Sequence, residues 1–298
     1  MLAECGSRDI KLSRSTEKSS LGQIIIEVNE TLLIPRGYFL DVSGGKAGVP
    51  TVQIYALNKL VPTAEEATLL EELNAPTSLQ MFTASLTRNS GQEEYGFFGA
   101  RTVLSNSHSG IVLFNTDQMA KIGVSRAVAL ANELGNIIAD RIVGRSRVGV
   151  KSGELVSDLV SLAYCTDPAS FLNEVKRIYD SGLDRQGNKL SRDDAYSMTR
   201  DALTEVLYNY NVEETKRRMA GFTHGVGLGF KIPEPSPRSI LGLPIDSPEL
   251  VKLVRGNPKI FTDLRQAVLA WYHGKVRSMG INDSVLPQSL VERIKPPK

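Results

Sequence analysis

Cysteine is scarce: Cys5 and Cys165 are the only two in 298 residues. That excludes a disulfide-stapled scaffold, and a pair so far apart favours two reduced thiols in a reducing compartment. Histidine is nearly as rare. His108, His224 and His273 stand alone, none at ligand spacing from another His or Cys, so the sequence implies no metal centre and no cofactor. No run approaches the ~18 to 20 apolar residues of a membrane span. The first twenty residues, with Arg8, Lys11, Arg14 and Lys18 set among serines, lack the apolar stretch of a secretory signal. The expectation is a soluble protein of the cytoplasm or another intracellular space.

Complete catalytic motifs are missing as well. Gly45-Lys46 is the nearest match to a phosphate loop, but Leu40 stands where the leading glycine belongs and Ala47 replaces the hydroxyl. Gly225, Gly227 and Gly229 give GxGxG after a helical stretch, not the dinucleotide fingerprint after a strand. The acidic stretch 180–194 is out of register for a calcium loop. Ser15 to Lys18 spells SxxK, but in a polar arm with no apolar helix behind it, and Lys151-Ser152-Gly153 only resembles its partner element. His224, beside Gly225, is the one candidate acid or base, and it has no evident partner.

An excess of either charge is also lacking, since the net charge is +2. Its distribution is uneven. Residues 1–120 carry a net −4 and residues 121–298 a net +6, an asymmetry that hints at an anionic partner for the later part.

The pattern of the chain changes at the same place. After a polar, serine-rich arm at 1–21, strand-like runs occur at 23–28, 38–42, 51–57, 79–87, 94–104 and 110–115, rich in β-branched and aromatic residues. One helix interrupts them, announced by the capping box of Thr63 and Glu66. From residue 117 the spacing becomes helical. Leu130, Leu134, Ile137, Ile138 and Ile142 form a stripe within 118–143, with Gly123 placed to split its start. Asp167-Pro168 and Asn257-Pro258 read as helix starts, Gly182 and Gly280 as ends, and Ser191 with Asp194 and Asn211 with Glu214 as further caps. The segment 221–247 holds five glycines and four prolines and is expected to be a long loop. The expected fold class is α+β: a β-rich part at 22–116 with one helix, then a helical part at 117–298.

The basic clusters carry the functional expectation. Arg141, Arg145, Arg147 and Lys151 run from a helix end through Gly144, Gly149 and Gly153, expected to be glycine-rich turns whose amides and guanidinium groups could cradle phosphate oxygens. Lys216, Arg217 and Arg218 form a second cluster, with Tyr208, Tyr210 and Phe222 nearby as candidates to stack on bases. The plain alternative is that cations at helix C-termini answer the helix dipole, worth ~0.3–1 kcal/mol each. The net charge is too low to coat a duplex, so the leading expectation is a single-stranded nucleic-acid binder, RNA first. It would self-associate as a homo-oligomer in the manner of a nucleocapsid or ribonucleoprotein backbone. A self-assembling shell, tube or filament without nucleic acid, or an enzyme on an anionic phosphorylated substrate, are the other two readings.

Overall fold

The computed structural model describes residues 38–44, 50–90, 100–105, 109–143, 147–183, 187–191, 194–221 and 239–295. Side chains are described for these apart from 38–55, 86–90, 100–109, 117, 118, 122, 147–150 and 217–221. The arm at 1–21, the run at 23–28, Arg145, Phe222 and His224 lie outside the described residues.

The fold is α+β. Strands come first: β1 (Tyr38–Gly44), β2 (Pro50–Leu60), β3 (Ser78–Ser90), β4 (Ala100–Ser105) and β5 (Ser109–Phe114). Hydrogen-bonded neighbours run in the order β1-β2-β3-β5-β4. β3 and β5 pair in parallel with Met81 opposite Val112, and β4 runs antiparallel to β5 with a register shift between Thr102 and Leu104. The strands give way to helices where expected, β5 ending at Phe114 and α2 (Thr116–Ile122) beginning two residues later. The compact units divide elsewhere: one is Met1–Tyr55 with Leu86–Tyr95, the other Ala56–Ser85 with Gly96–Lys298. All that follows concerns the second.

Local chemistry sets its helix ends. In α1 (Ala64–Glu72) the Thr63 hydroxyl accepts from the Glu66 amide at 3.2 Å, and the Glu66 carboxylate accepts from the Thr63 amide at 2.8 Å. Gly123 ends α2 at φ 68°, a backbone that side chains disfavour. Asp167 caps α5 (Pro168–Ser181) by accepting from the amides of Ala169 and Ser170, each at 3.0 Å. Asn257 caps α8 (Pro258–Ser278), and Gly280 follows its end at φ 88°.

Two expectations need correction. The glycines after Arg147 do not form turns. They lie in α4 (Arg147–Tyr164), a helix the glycines hide from a propensity reading. Asn211 is not a cap but lies inside α6 (Ala195–Gly221), where its amide donates to Ser239 O at 2.9 Å and its carbonyl accepts from the Leu241 amide at 2.7 Å. Those contacts hold a small hairpin, β6 (Ser239–Ile240) and β7 (Leu243–Pro244), turned by Leu241 and Gly242 at φ 56° and 80°. Part of the expected loop is therefore ordered. Two shorter helices complete the unit, α7 (Pro248–Gly256) and α9 (Gln288–Ile294).

The core is organised around α4. Leu155, Val156, Leu159, Val160, Leu162 and Ala163 are all buried, as are Ser152, Ser157, Asp158 and Ser161, so little of this helix reaches solvent. It packs on α3 (Arg126–Val143), α5, α6, α8 and α9. The α3 stripe of Leu130, Leu134, Ile137 and Ile138 is buried in the same core as Met81, Val112 and Phe114. The two long helices meet closely at Gly135, where an added Cβ would stand 2.4 Å from Ser157 Cα. At its far end, Arg265 of α8 donates to the carbonyls of Ala163 and Cys165, closing orphan acceptors of α4. No described helix is long and apolar enough to cross a membrane.

Gly135→Ala forces a methyl group onto the α4 backbone. The expected loss is about 1–3 kcal/mol of unfolding free energy, read from the urea midpoint. An unchanged midpoint contradicts the close crossing.

Candidate nucleic-acid interface

The first basic cluster gathers at one end of the α3–α4 pair. Gly135 faces Ser157, and Gly153 approaches Asn136 and Ala139. The antiparallel register set by these contacts brings Arg141 level with Lys151. Arg141 is exposed near the C-terminus of α3, and its Nη1 donates to Asn74 O at 2.8 Å. Lys151 is half-buried in the second turn of α4. Arg147 is the first residue of α4, a helix with no acidic residue in its first turn.

The helix-dipole explanation fits only part of this. Arg141 lies near a C-terminus, where the dipole favours a cation. Arg147 and Lys151 lie near an N-terminus, where the helix already presents partial positive charge. Arg141, Lys151 and a positive helix end that begins with Arg147 thus lie at one end of the pair, beside Asp140, and a helix N-terminus there favours an anion.

The ion pairs sharpen the contrast. Lys176 pairs with Asp180, Lys189 with Asp201, Lys259 with Asp263 and Arg293 with Glu72. Arg126 and the buried Glu66 join α3 to α1. Burial pushes the Glu66 carboxyl up, but the Arg126 guanidinium and the Thr63 amide outweigh it and hold it below its usual value. Among the described residues, neither Arg141 nor Lys151 meets a carboxylate.

The second cluster lies elsewhere. Tyr272 Oη donates to Thr199 O at 3.2 Å and Tyr210 Oη to Ile260 O at 3.4 Å, so α6 runs antiparallel to α8. Ser152 Oγ lies 4.0 Å from Met279 Sδ, which places the start of α4 at the end of α8. The end of α6, with Lys216, Arg217 and Arg218, therefore lies beyond the opposite end of α8, about 30 Å away at 1.5 Å per residue. The structure does not bring the two clusters together. Lys216 is also paired, with Glu213 at 2.7 Å. Tyr210, expected to stack on bases, is only 7% exposed and serves the core, whereas Tyr208 is 44% exposed on the same helix.

Beside Arg141 a groove of about 300 Å³ opens between the end of α1, the end of α3 and a 3-10 turn at Asp283–Val285. Asn74, Ile138, Ile142, Val285 and Gln288 are among its lining residues. It joins segments some 210 positions apart in sequence (from Asn74 to Ser284), and no local pattern announces it.

Sequence reasoning also misses a buried ion network. Arg177 Nη2 donates to Asp158 Oδ1 at 2.9 Å and Glu174 Oε1 at 2.8 Å, and its Nε to Glu174 Oε2 at 2.9 Å. Ser161 donates to the same Glu174 carboxylate. Asp158 is 3% and Glu174 1% exposed. Burial raises the Asp158 carboxyl to about 7 against the pull of Arg177, with Glu174 adding to the rise. Burial, then Asp158, raise half-buried Glu154 to about 8. The available signal was Glu154 and Asp158 one turn apart in a stretch, 152–163, that is otherwise apolar or small. Raised carboxyl groups are candidates for acid–base work. However, none of these residues lines the groove beside Arg141 or the cleft along α7. Among the described residues, no group of three or more His, Cys, Asp or Glu is arranged to hold a metal ion.

Compared with known proteins, the chain matches no family model, no curated protein and no solved structure.

Two outcomes follow from the network. The folded state retains protons on Glu154 and Asp158 that the unfolded chain gives up near pH 4. Stability conferred by these two groups is therefore lost as pH rises from about 4 to about 8. The melting temperature should fall over that window, and Glu154→Gln should flatten the fall. A Glu154→Gln profile that parallels wild type contradicts the assignment. Arg177→Met removes the cation from Glu174 and Asp158 and should cost about 3–5 kcal/mol in urea unfolding at pH 7.

Proposed function

We propose that this protein binds single-stranded nucleic acid, RNA first, through phosphate contacts at the α3–α4 end, and that copies associate along the strand. One observation carries the reading. Arg141 and Lys151 meet no described carboxylate and stand beside the positive end of α4, whereas Lys176, Lys189, Lys216 and Lys259 are each paired with one. Arg147 opens α4 at the same end, and Arg145 joins the proposal by its place in the sequence alone.

The second cluster enters in a different role. The end of α6, with exposed Tyr208 on the same helix, would be a separate contact about 30 Å from the first, to which Lys216 adds little because Glu213 pairs it. A strand that reached both would have to run the length of α8, which suits a polymer better than a small phosphorylated ligand. A single strand also fits the modest charge, because a few phosphates per protomer suffice. An intracellular setting, in which buried Cys165 stays a thiol, completes the proposal.

The test is the salt dependence of binding to a fluorescently labelled single-stranded RNA, followed by anisotropy. Each lost phosphate contact reduces the slope of log K against log salt by about 0.7. The double variant Arg141→Gln/Lys151→Gln should weaken binding and lower the slope by about 1.4. Lys216→Gln, already neutralised by Glu213 in the wild type, should leave the slope nearly unchanged. A double variant with the wild-type slope overturns the assignment, as does a wild-type protein that does not bind.

A further inference from the structure

We propose that the groove beside Arg141 receives one nucleobase of the bound strand, an inference that rests on the single-strand reading above. Its floor is apolar. Leu73, Ile138 and Leu286 are buried there, and Val285 is 50% exposed. Among the described residues the other exposed large apolar side chains are Val61, Tyr196 and Tyr208, and only Val61 is more exposed. A volume of about 300 Å³ suits a small planar group and is too small for a folded segment.

The rim supplies the complement of a nucleotide. The Asn74 carbonyl occupies one guanidinium N–H of Arg141, and four of the five donors of that group remain for a phosphate or a base edge. Gln288 uses its amide nitrogen on Glu292 at 2.9 Å, which leaves its carbonyl oxygen to accept. Ser284 contributes an exposed hydroxyl. A cation at the rim, an apolar floor and mixed donors and acceptors along the edge match an anionic backbone carrying a flat, partly polar base. The groove continues directly from the phosphate patch, because Arg141 belongs to both. A base inserted here adds affinity without adding a phosphate contact, so its signature is separable from that of the cations.

The experiment compares two single strands of about 12 nucleotides, within the usual site size of such binders. One is an ordinary RNA and the other an oligomer of the same length whose riboses carry no base. Each is titrated into wild type and into Val285→Ser. That position is half exposed, so the variant should keep its fold, and a urea midpoint confirms it. The wild type should bind the base-carrying strand at least about fivefold more tightly than the abasic one. Val285→Ser should bring the two affinities within about twofold and leave the salt slope unchanged. Equal wild-type affinities overturn the base pocket and leave the phosphate reading standing. A base preference that survives intact in Val285→Ser overturns this groove as its place. A variant that alters the size of the assembly while keeping the base preference points to a second copy as occupant and also overturns it. Failure of the wild type to bind either strand removes both proposals.

Discussion

The second unit depends on how closely α3 can approach α4. Gly135 presents no side chain to Ser157, and the two backbones come nearer than any Cβ would allow. That contact sets an antiparallel register, and the register does two things. It lets α4 be enclosed by α3, α5, α6, α8 and α9, and it brings Arg141 level with Lys151 where α3 ends and α4 begins. Core packing and the basic patch are two results of one close crossing.

Enclosing α4 has an electrostatic cost. Asp158 lies on a helix face that the core surrounds, with Glu154 half-buried one turn away, so the fold must supply a buried cation. Arg177 of α5 does so, binding Asp158 and Glu174 together. Burial outweighs that one guanidinium, and neighbouring carboxylates add to it, which is why Glu154 and Asp158 hold their protons toward neutral pH. Buried networks of this kind are weak sources of net stability. This one fixes the relation of α4 to α5, and Thr199 and Tyr272 extend it toward α6 and α8.

Elements with strong local signals were legible in the sequence. Thr63 with Glu66, Asp167-Pro168, Asn257-Pro258 and Gly280 mark helix boundaries by local hydrogen bonds and backbone geometry, and each stands where expected. The change from strands to helices near residue 117 was legible for the same reason. The start of α4 was not, because Gly149 and Gly153 read as turns, while in the structure the helix runs through both and Gly153 packs against Asn136 and Ala139 of α3. Asn211 looked like a cap because its side chain does bond backbone, but the backbone belongs to a hairpin 28 to 30 residues away. Tyr210 looked available for stacking because a sequence does not reveal which side of α6 faces α8. The groove beside Arg141 and the network around Arg177 are tertiary, assembled from segments with no shared pattern.

The two basic clusters of the helical part lie at two ends of α8 instead of along one groove. One end carries cations without described carboxylate partners, and the other carries Lys216 already tied to Glu213. The central claim is that the first end grips a phosphodiester strand. Ultraviolet crosslinking of the protein to single-stranded RNA, followed by mass spectrometry of the adducted peptides, tests it most directly. The account predicts adducts in peptides from the end of α3, the start of α4 and the 283–288 turn. Adducts confined to α6 and α7, or none at all, would contradict it.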